Sequence, residues 1–202
     1  MGTVGTSFSM SLDGFIAQPD GEVGPLFDWY FQGETNNEIV SGDGSFTVTD
    51  DGAKVIQEAS QAVGALVTGR KLFDFTHAWG GRHPLNVPIV VVTHHVETVP
   101  EEWTREGSVF TFVTDGVESA IQKAKEIAGD KNVAVASASV AQQCITAGLL
   151  DEIAIDLAPV LLCEGIRLFD HLGSQHIRLE STSVRPATGV THLSYRIVKY
   201  AI

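Results

Sequence analysis

Residues 133–162 limit what this chain can fold into more than any other stretch. Val-Ala-Val-Ala at 133–136 is a short apolar run of strand character, and four small residues follow: Ala136, Ser137, Ala138 and Ser139. Helical sequence then runs to Gly148, and a second apolar strand begins at Ile153. Strand, small-residue turn, helix and strand form a βαβ unit, whose crossover joins parallel strands. The N-terminus of its helix presents unpaired backbone N–H groups, and small side chains there let a phosphate come close. Ser137 or Ser139 is placed to cap that helix. A nucleotide is expected at this turn.

The flanking sequence extends the same architecture. Residues 3–9 and 12–17 are short and β-prone, divided by Ser11 and Asp13-Gly14, and Gln18-Pro19-Asp20-Gly21 is a strong turn. An aromatic cluster at 27–31 encloses one carboxylate, Asp28. The acidic, Gly-rich segment 32–52 reads as a loop, either a surface element over a site or simply a mobile insertion. Asp50 or Asp51 then opens a helix to about Ala62, with Val55, Ile56, Ala59 and Val63 on one stripe and Gly64 at its end. A strand at 65–68 turns through Gly69-Arg70-Lys71 into a short helix, and Trp79-Gly80-Gly81 reads as a loop. Pro-Ile-Val-Val-Val-Thr at 88–93 has the unbroken β-branched character of a strand buried on both faces, and 109–113 is similar. A helix is expected over 115–128, with Asp115 and Glu118 as a capping box and Gly129 as its stop. Near the C-terminus, 176–184 and 190–200 alternate as strands and meet through Pro186-Ala187-Thr188-Gly189 as an antiparallel hairpin. The expectation is one α/β domain spanning 1–202, three layers with a mostly parallel central sheet and an antiparallel edge. Ligands bind such sheets at the carboxyl ends of the strands, where Thr68-Gly69, Thr93-His94 and Ala136-Ser137 all fall.

Charge narrows the partners. The net charge of −12 disfavours nucleic acid and anionic membrane surfaces. No Lys or Arg precedes Lys54, so a phosphate ligand needs the positive charge further on, around Arg70, Lys71 and Arg82. Cys144 and Cys163 lack metal or redox spacing and read as buried small hydrophobes in a reducing compartment. No basic segment followed by an apolar core opens the sequence and no apolar run is long enough to span a bilayer, so a cytoplasmic location is expected. His94-His95 is the only histidine pair, and neighbours on a strand face opposite ways. No metal site is expected.

Two carboxylates and one basic turn are the candidate chemistry. Asp13 follows a β segment in Ser-Leu-Asp-Gly-Phe-Ile-Ala at 11–17, and Asp28 sits among Phe27, Trp29, Tyr30 and Phe31. Asp13-Gly14 also reads as a simple turn; at Asp28, apolar neighbours raise a carboxyl pKa and suit it to proton transfer near neutrality, the other reading being an exposed Asp on an amphipathic helix. Arg70 and Lys71 open a helix, where a cation opposes the helix dipole, so an anionic ligand explains them better than helix stability does. The Thr68-Gly69-Arg70 turn lacks the further glycines of a dinucleotide fingerprint, and no nucleophile elbow or Walker loop occurs.

In order, Ser11–Ala17, Thr68-Gly69-Arg70-Lys71, residues 89–93, Ser139-Val140-Ala141, 147–152, Pro159-Val160-Leu161-Leu162 and Arg167-Leu168-Phe169 resemble the dihydrofolate-reductase-like family typified by the C-terminal reductase domain of bacterial riboflavin biosynthesis. The resemblance implies a dihydrofolate-reductase-like fold, NADPH as cofactor, a small-molecule substrate and a homodimer. It assigns the adenosine-phosphate end of NADPH to Thr68, Gly69, Arg70, Lys71, Thr93 and His94, and the pyrophosphate to Ser137, Ala138, Ser139 and Val140. Asp13 is placed near the nicotinamide and substrate, and Asp28 where folate reductases keep their acid. The implied reaction is hydride transfer to C=N or C=O, as on 5-amino-6-(5-phosphoribosylamino)uracil. Two readings stay open beside it: a pteridine or folate reductase, and a non-catalytic small-molecule-binding relative. The last is raised by two departures, Ala136-Ser137-Ala138 in place of the family's glycines and Cys163-Glu164 after the Pro-Val-Leu strand.

Overall fold

The computed structural model describes residues 2–32, 38–41, 44–174 and 176–199. In chain order it contains β1 (Val4–Ser11), β2 (Phe15–Ala17), a 3-10 helix (Gly24–Phe31), β3 (Glu38–Ser41), β4 (Gly44–Thr47), α1 (Asp50–Ala62), β5 (Val63–Gly69), α2 (Arg70–Phe75), a second 3-10 segment (His77–Gly81), β6 (Ile89–Val92), α3 (Glu101–Thr104), β7 (Phe110–Val113), α4 (Val117–Ala128), β8 (Asn132–Val135), α5 (Ala138–Thr146), β9 (Glu152–Ala158), β10 (Ile166–Arg167), β11 (Leu179–Ala187) and β12 (Val190–Ile197). Eight strands form one sheet in the order β11-β12-β9-β1-β8-β5-β6-β7. All neighbours from β9 to β7 are parallel, and β12 runs antiparallel to both β9 and β11. The expected fold class, mostly parallel with an antiparallel C-terminal hairpin, is what forms. The unit at 132–158 straddles β1, which pairs with β8 on one side and β9 on the other.

Alternation within the central strands explains why they read as continuous apolar runs. In β5 and β6, Val67 and Val90 pack with α4 and α5, while Leu66, Ile89 and Val91 pack on the opposite face with Phe73 of α2. Each such side chain is fully buried, a contribution of roughly 1.5–3 kcal/mol apiece. The 3-10 helix covers the other end of that opposite face, with Trp29 packed against Val48 and Val190.

Several boundaries differ from the sequence expectation. Segment 32–52 carries the β3–β4 hairpin rather than a loop throughout; residues 33–37 and 42–43 lie outside the described residues. Thr49, not Asp50 or Asp51, caps α1, its hydroxyl accepting from the Gly52 N–H at 3.3 Å. The α1 stripe is only half-buried, and Ala59 is exposed. The capping box at 115–118 does not form: Gly116, at φ +107°, takes the cap position with no side-chain bond, and α4 begins at Val117. Trp79-Gly80-Gly81 is a tight 3-10 turn whose residues 78–80 are left-handed. The C-terminal turn is Thr188-Gly189, because Pro186 and Ala187 remain in β11.

Candidate functional site

Each parallel strand ends in a turn, and the turns after β5, β6 and β8 open on one groove of about 460 Å³. It is lined by Gly69, Arg70, Lys71 and Asp74 after β5, by Val92, Thr93, His94, His95 and Thr98 after β6, by Thr114 and Gly116 after β7, and by Ser139, Val140 and Gln143 of α5. Segments far apart in sequence are thus brought together, seven of the ten residues expected to hold a cofactor among them. The other three, Thr68, Ser137 and Ala138, do not line the groove; Thr68 and Ser137 are buried.

The groove's chemistry is that of an anion site. No side chain caps α5, although Ser137 holds the cap position; its Oγ instead lies 3.2 Å from the Ser139 Oγ. The first-turn N–H groups are therefore left to whatever enters. Gly69 matters through proximity: a Cβ there would stand 2.9 Å from the Ser137 Oγ. Ser137 adopts an ordinary extended backbone (φ −129°, ψ 131°), and neither Ala136 nor Ala138 has positive φ, so this turn has no need of glycine. Glu164 is exposed and does not line the groove.

Arg70 is more deeply engaged than its sequence suggests. Its Nε donates to Asp74 (2.7 Å), its Nη1 to the His95 carbonyl (2.9 Å) and the Thr98 hydroxyl (2.9 Å), and its Nη2 to the Thr98 carbonyl (3.3 Å). It clamps the 95–98 loop to α2, which leaves Lys71 and His94 as exposed groups on the groove. The Thr93 hydroxyl shapes the same loop by accepting from the His95 N–H at 3.2 Å.

The two candidate carboxylates have opposite surroundings. Asp13 accepts from the Ser11 hydroxyl (2.6 Å), the Leu162 N–H (3.1 Å) and the Cys163 N–H (2.8 Å). The Ser11 bond foremost, with the two backbone N–H groups, holds its carboxyl below the usual range. Asp13 therefore works as an ionised clasp on the loop after β9. Arg167 joins it, donating to the Asp13 carbonyl at 3.2 Å with its guanidinium 4.3 Å from the Phe15 ring centre. Asp28 is exposed, so the apolar enclosure expected around it is absent; Trp29 is the residue that turns inward from the 3-10 helix.

Sequence reading missed a buried polar row beside the clasp. Ser9 of β1, Asp156 of β9 and His192 of β12 are paired across adjacent strands. Trp29 Nε1 donates to the Ser9 Oγ at 3.1 Å, and the Trp29 ring meets the His192 ring edge-on at 5.3 Å. One signal was available: a carboxylate inside the apolar run 153–158, and a histidine at the inward parity of β12 with Val190.

The family model described as the RibD C-terminal domain matches residues 3–193. The chain belongs to that family. It is 27% identical over 203 residues to the uncharacterized protein YyaP of Bacillus subtilis strain 168, covering 93% of this chain and 90% of that one. Among solved structures, a protein assigned to riboflavin biosynthesis from Shewanella sp. PV-4 is similar with a TM-score of 0.75 at 19% identity, over 98% of this chain and 99% of the other. Riboflavin biosynthesis reductase Rib7 of Saccharomyces cerevisiae gives 0.62 at 11% identity, over 98% and 90%. Dihydrofolate reductase of Enterococcus faecalis, in complex with NADP(H), gives 0.58 at 14% identity, over 98% and 97%. The architecture is therefore the dihydrofolate-reductase-like fold. Among the described residues no helix is long and apolar enough to cross a membrane, and no group of three or more His, Cys, Asp or Glu gathers as metal ligands.

Proposed function

We propose that the chain is an NADPH-dependent reductase acting on a C=N or C=O group of a small molecule. The observation that carries this reading is the convergence of three turns and the uncapped α5 N-terminus on one groove. When bound, a reduced nicotinamide supplies the hydride. Backbone N–H groups at 138–140 hold its diphosphate, with Ser137 buried beneath them and Gly69 allowing the close approach. Lys71 and His94 face the adenosine phosphate, while Arg70, with Thr93, fixes the loop that carries His94 and His95. Thr68, buried beside Gly69, keeps the end of β5 in place. Asp13, ionised, positions the 161–163 loop at the nicotinamide end, and Asp28 offers an exposed carboxylate on the substrate side.

Within this reading, a phosphoribosyl-type substrate such as 5-amino-6-(5-phosphoribosylamino)uracil is favoured over a folate by Arg167. Residues 1–53 supply no cation, but the fold brings Arg167 against Asp13 and Phe15, where a substrate phosphate needs one. The exposed edge strand β11, with Leu179 and Val184 outward, supports pairing with a second copy as a homodimer. Soaking crystals with NADPH tests the assignment. Density for the diphosphate against 138–140, with the adenosine phosphate beside Lys71 and His94, is expected. Cofactor density elsewhere, or a filled groove with those N–H groups untouched, contradicts it.

A further inference from the structure

Gln142 stands where the two sides of the ligand end meet. Three of its neighbours on α5, Ser139, Val140 and Gln143, line the groove, and the Gln143 Nε2 donates to the Ser139 carbonyl at 3.1 Å. Gln142 does not line it. Its Nε2 donates instead to two consecutive carbonyls of the segment that follows β9, those of Arg167 (3.1 Å) and Leu168 (3.0 Å). Both partners only accept, so both N–H groups of the amide are used. The Leu168 side chain is fully buried in the same core as Val140 and Ala141 of α5. The helix that opens on the groove is thus fastened to residues 167–168 by packing and by two hydrogen bonds.

From Arg167 the contacts run on to Asp13. Arg167 pairs with Phe15 in the short β2–β10 ladder, the Leu168 N–H donates to the Gly14 carbonyl at 3.3 Å, and the Arg167 guanidinium reaches the Asp13 carbonyl. The Asp13 carboxylate in turn accepts from the Leu162 and Cys163 N–H groups. The loop it holds works against its own backbone. Cys163 is left-handed at φ +67°, and Gly165, at φ +140°, lies where a Cβ would overlap the Ala17 carbonyl. Strain of this kind favours release, and the Asp13 bonds oppose it. A clasped and a released loop are the two states that a chain of contacts needs at its end if it is to transmit binding.

We propose that Gln142 is a positioning residue that couples the two sides. A diphosphate held at the α5 N-terminus fixes α5, and through Gln142 it fixes Arg167 and closes the Asp13 clasp, so that the bound cofactor readies the substrate side. This rests on the reductase reading above for what enters the groove. The test uses the full chain and 2′-phosphoadenosine 5′-diphosphate, which carries the adenosine phosphate and the diphosphate but no nicotinamide to cover the loop. Calorimetry reads its binding, and hydrogen exchange compares the amides of Leu162, Cys163 and Leu168 with core amides of β6. Any ligand of the folded chain protects core amides by mass action, in parent and variant alike. Amides that exchange by opening the loop alone gain nothing without coupling; with it they should gain about fivefold. In Gln142→Met, which keeps the length and loses both donors, that gain should vanish while the probe still binds and the β6 amides still respond. In the unaltered protein, the Gln142 side-chain amide resonances should shift on adding the probe, which needs no variant to fold. Probe bound with the loop amides or those resonances unchanged, or a loop gain that survives Gln142→Met, overturns the coupling and leaves the cofactor reading standing. No binding up to millimolar probe contradicts the cofactor reading, and the coupling falls with it.

Discussion

The two halves of the sheet's ligand end are built in opposite ways. From β8 to β7 the strands bury apolar side chains on both faces, and the groove's lining sits at the strand ends and just beyond them: Gly69 to Lys71, Thr93 to His95, Ser139 and Val140. From β1 to β12 the polar groups Ser9, Ser11, Asp156 and His192 lie in the strands themselves and are paired: Ser9 with Trp29 of the 3-10 helix, Asp156 with His192, Ser11 with Asp13 of the following turn. The first arrangement offers backbone N–H groups and the exposed Lys71 ammonium, which suit a phosphate-bearing ligand of generic shape. The second offers fixed side-chain hydrogen-bond partners, which discriminate between ligands. On the proposed function, cofactor recognition belongs to the first side and substrate selection to the second.

The comparison breaks most sharply at Ser139, exposed in the first turn of α5. Ser139→Asp places like charge against the expected diphosphate, and NADPH affinity should fall by about two orders of magnitude. The same carboxylate should raise thermal stability by about 0.5 kcal/mol through the helix dipole. Calorimetric binding and a melting curve read the two opposite signs; unchanged affinity would remove the diphosphate from this turn. Next in size, Arg70→Ala frees the 95–98 loop and should weaken NADPH about tenfold, with a smaller loss for NADH, since only the former carries the extra phosphate. Equal losses would leave Arg70 a purely structural clamp.

Acid should separate the two halves in pH. His83, whose Nδ1 accepts the Leu85 N–H at 3.1 Å, is held neutral by burial, its pKa falling from 6.5 to about 4. A lowered histidine contributes its stability fully above 6.5 and loses it as pH falls from there to about 4, on the order of 2 kcal/mol. Asp13 on the substrate side has a depressed pKa, so its contribution holds above the ordinary 3.8 and goes only below that. Amide protection factors around 83–85, normalised to the intrinsic exchange rate at each pH, should therefore fall near pH 5 while those of Leu162 and Cys163 hold. Simultaneous loss would contradict the division. The smallest effect is chemical: Cys163 is exposed, whereas burial pushes the Cys144 thiol up to about 12. Mass spectrometry after alkylation should show one adduct on the folded protein and two on the unfolded one.

What could be read from sequence follows the same division. Ile89–Val92 declares a strand because both of its faces are buried, and the small residues at 136–139 declare a close approach, with Ala136 packed against the core and Ser137 against Gly69. The groove was legible because its parts are local to strand ends. Asp13's clasp joins residues 149 and 150 positions apart, and Arg70's donors go to a loop 25 to 28 positions on, so neither has a local signal. Asp156 and His192 become partners only through the register of β9 and β12. Asp28 hides its setting for a related reason: of the aromatic residues beside it in sequence Trp29 turns inward, while Asp28 itself is exposed.

The central claim is that the groove after β5, β6 and β8 takes a phosphorylated nicotinamide dinucleotide. Titration of the purified chain with NADPH and, separately, NADH, followed by nicotinamide fluorescence, tests it most directly. Saturable binding of NADPH, tighter than NADH and lost in Ser139→Asp, is the predicted result. No saturation up to millimolar NADPH, or binding indifferent to Ser139→Asp, would contradict it.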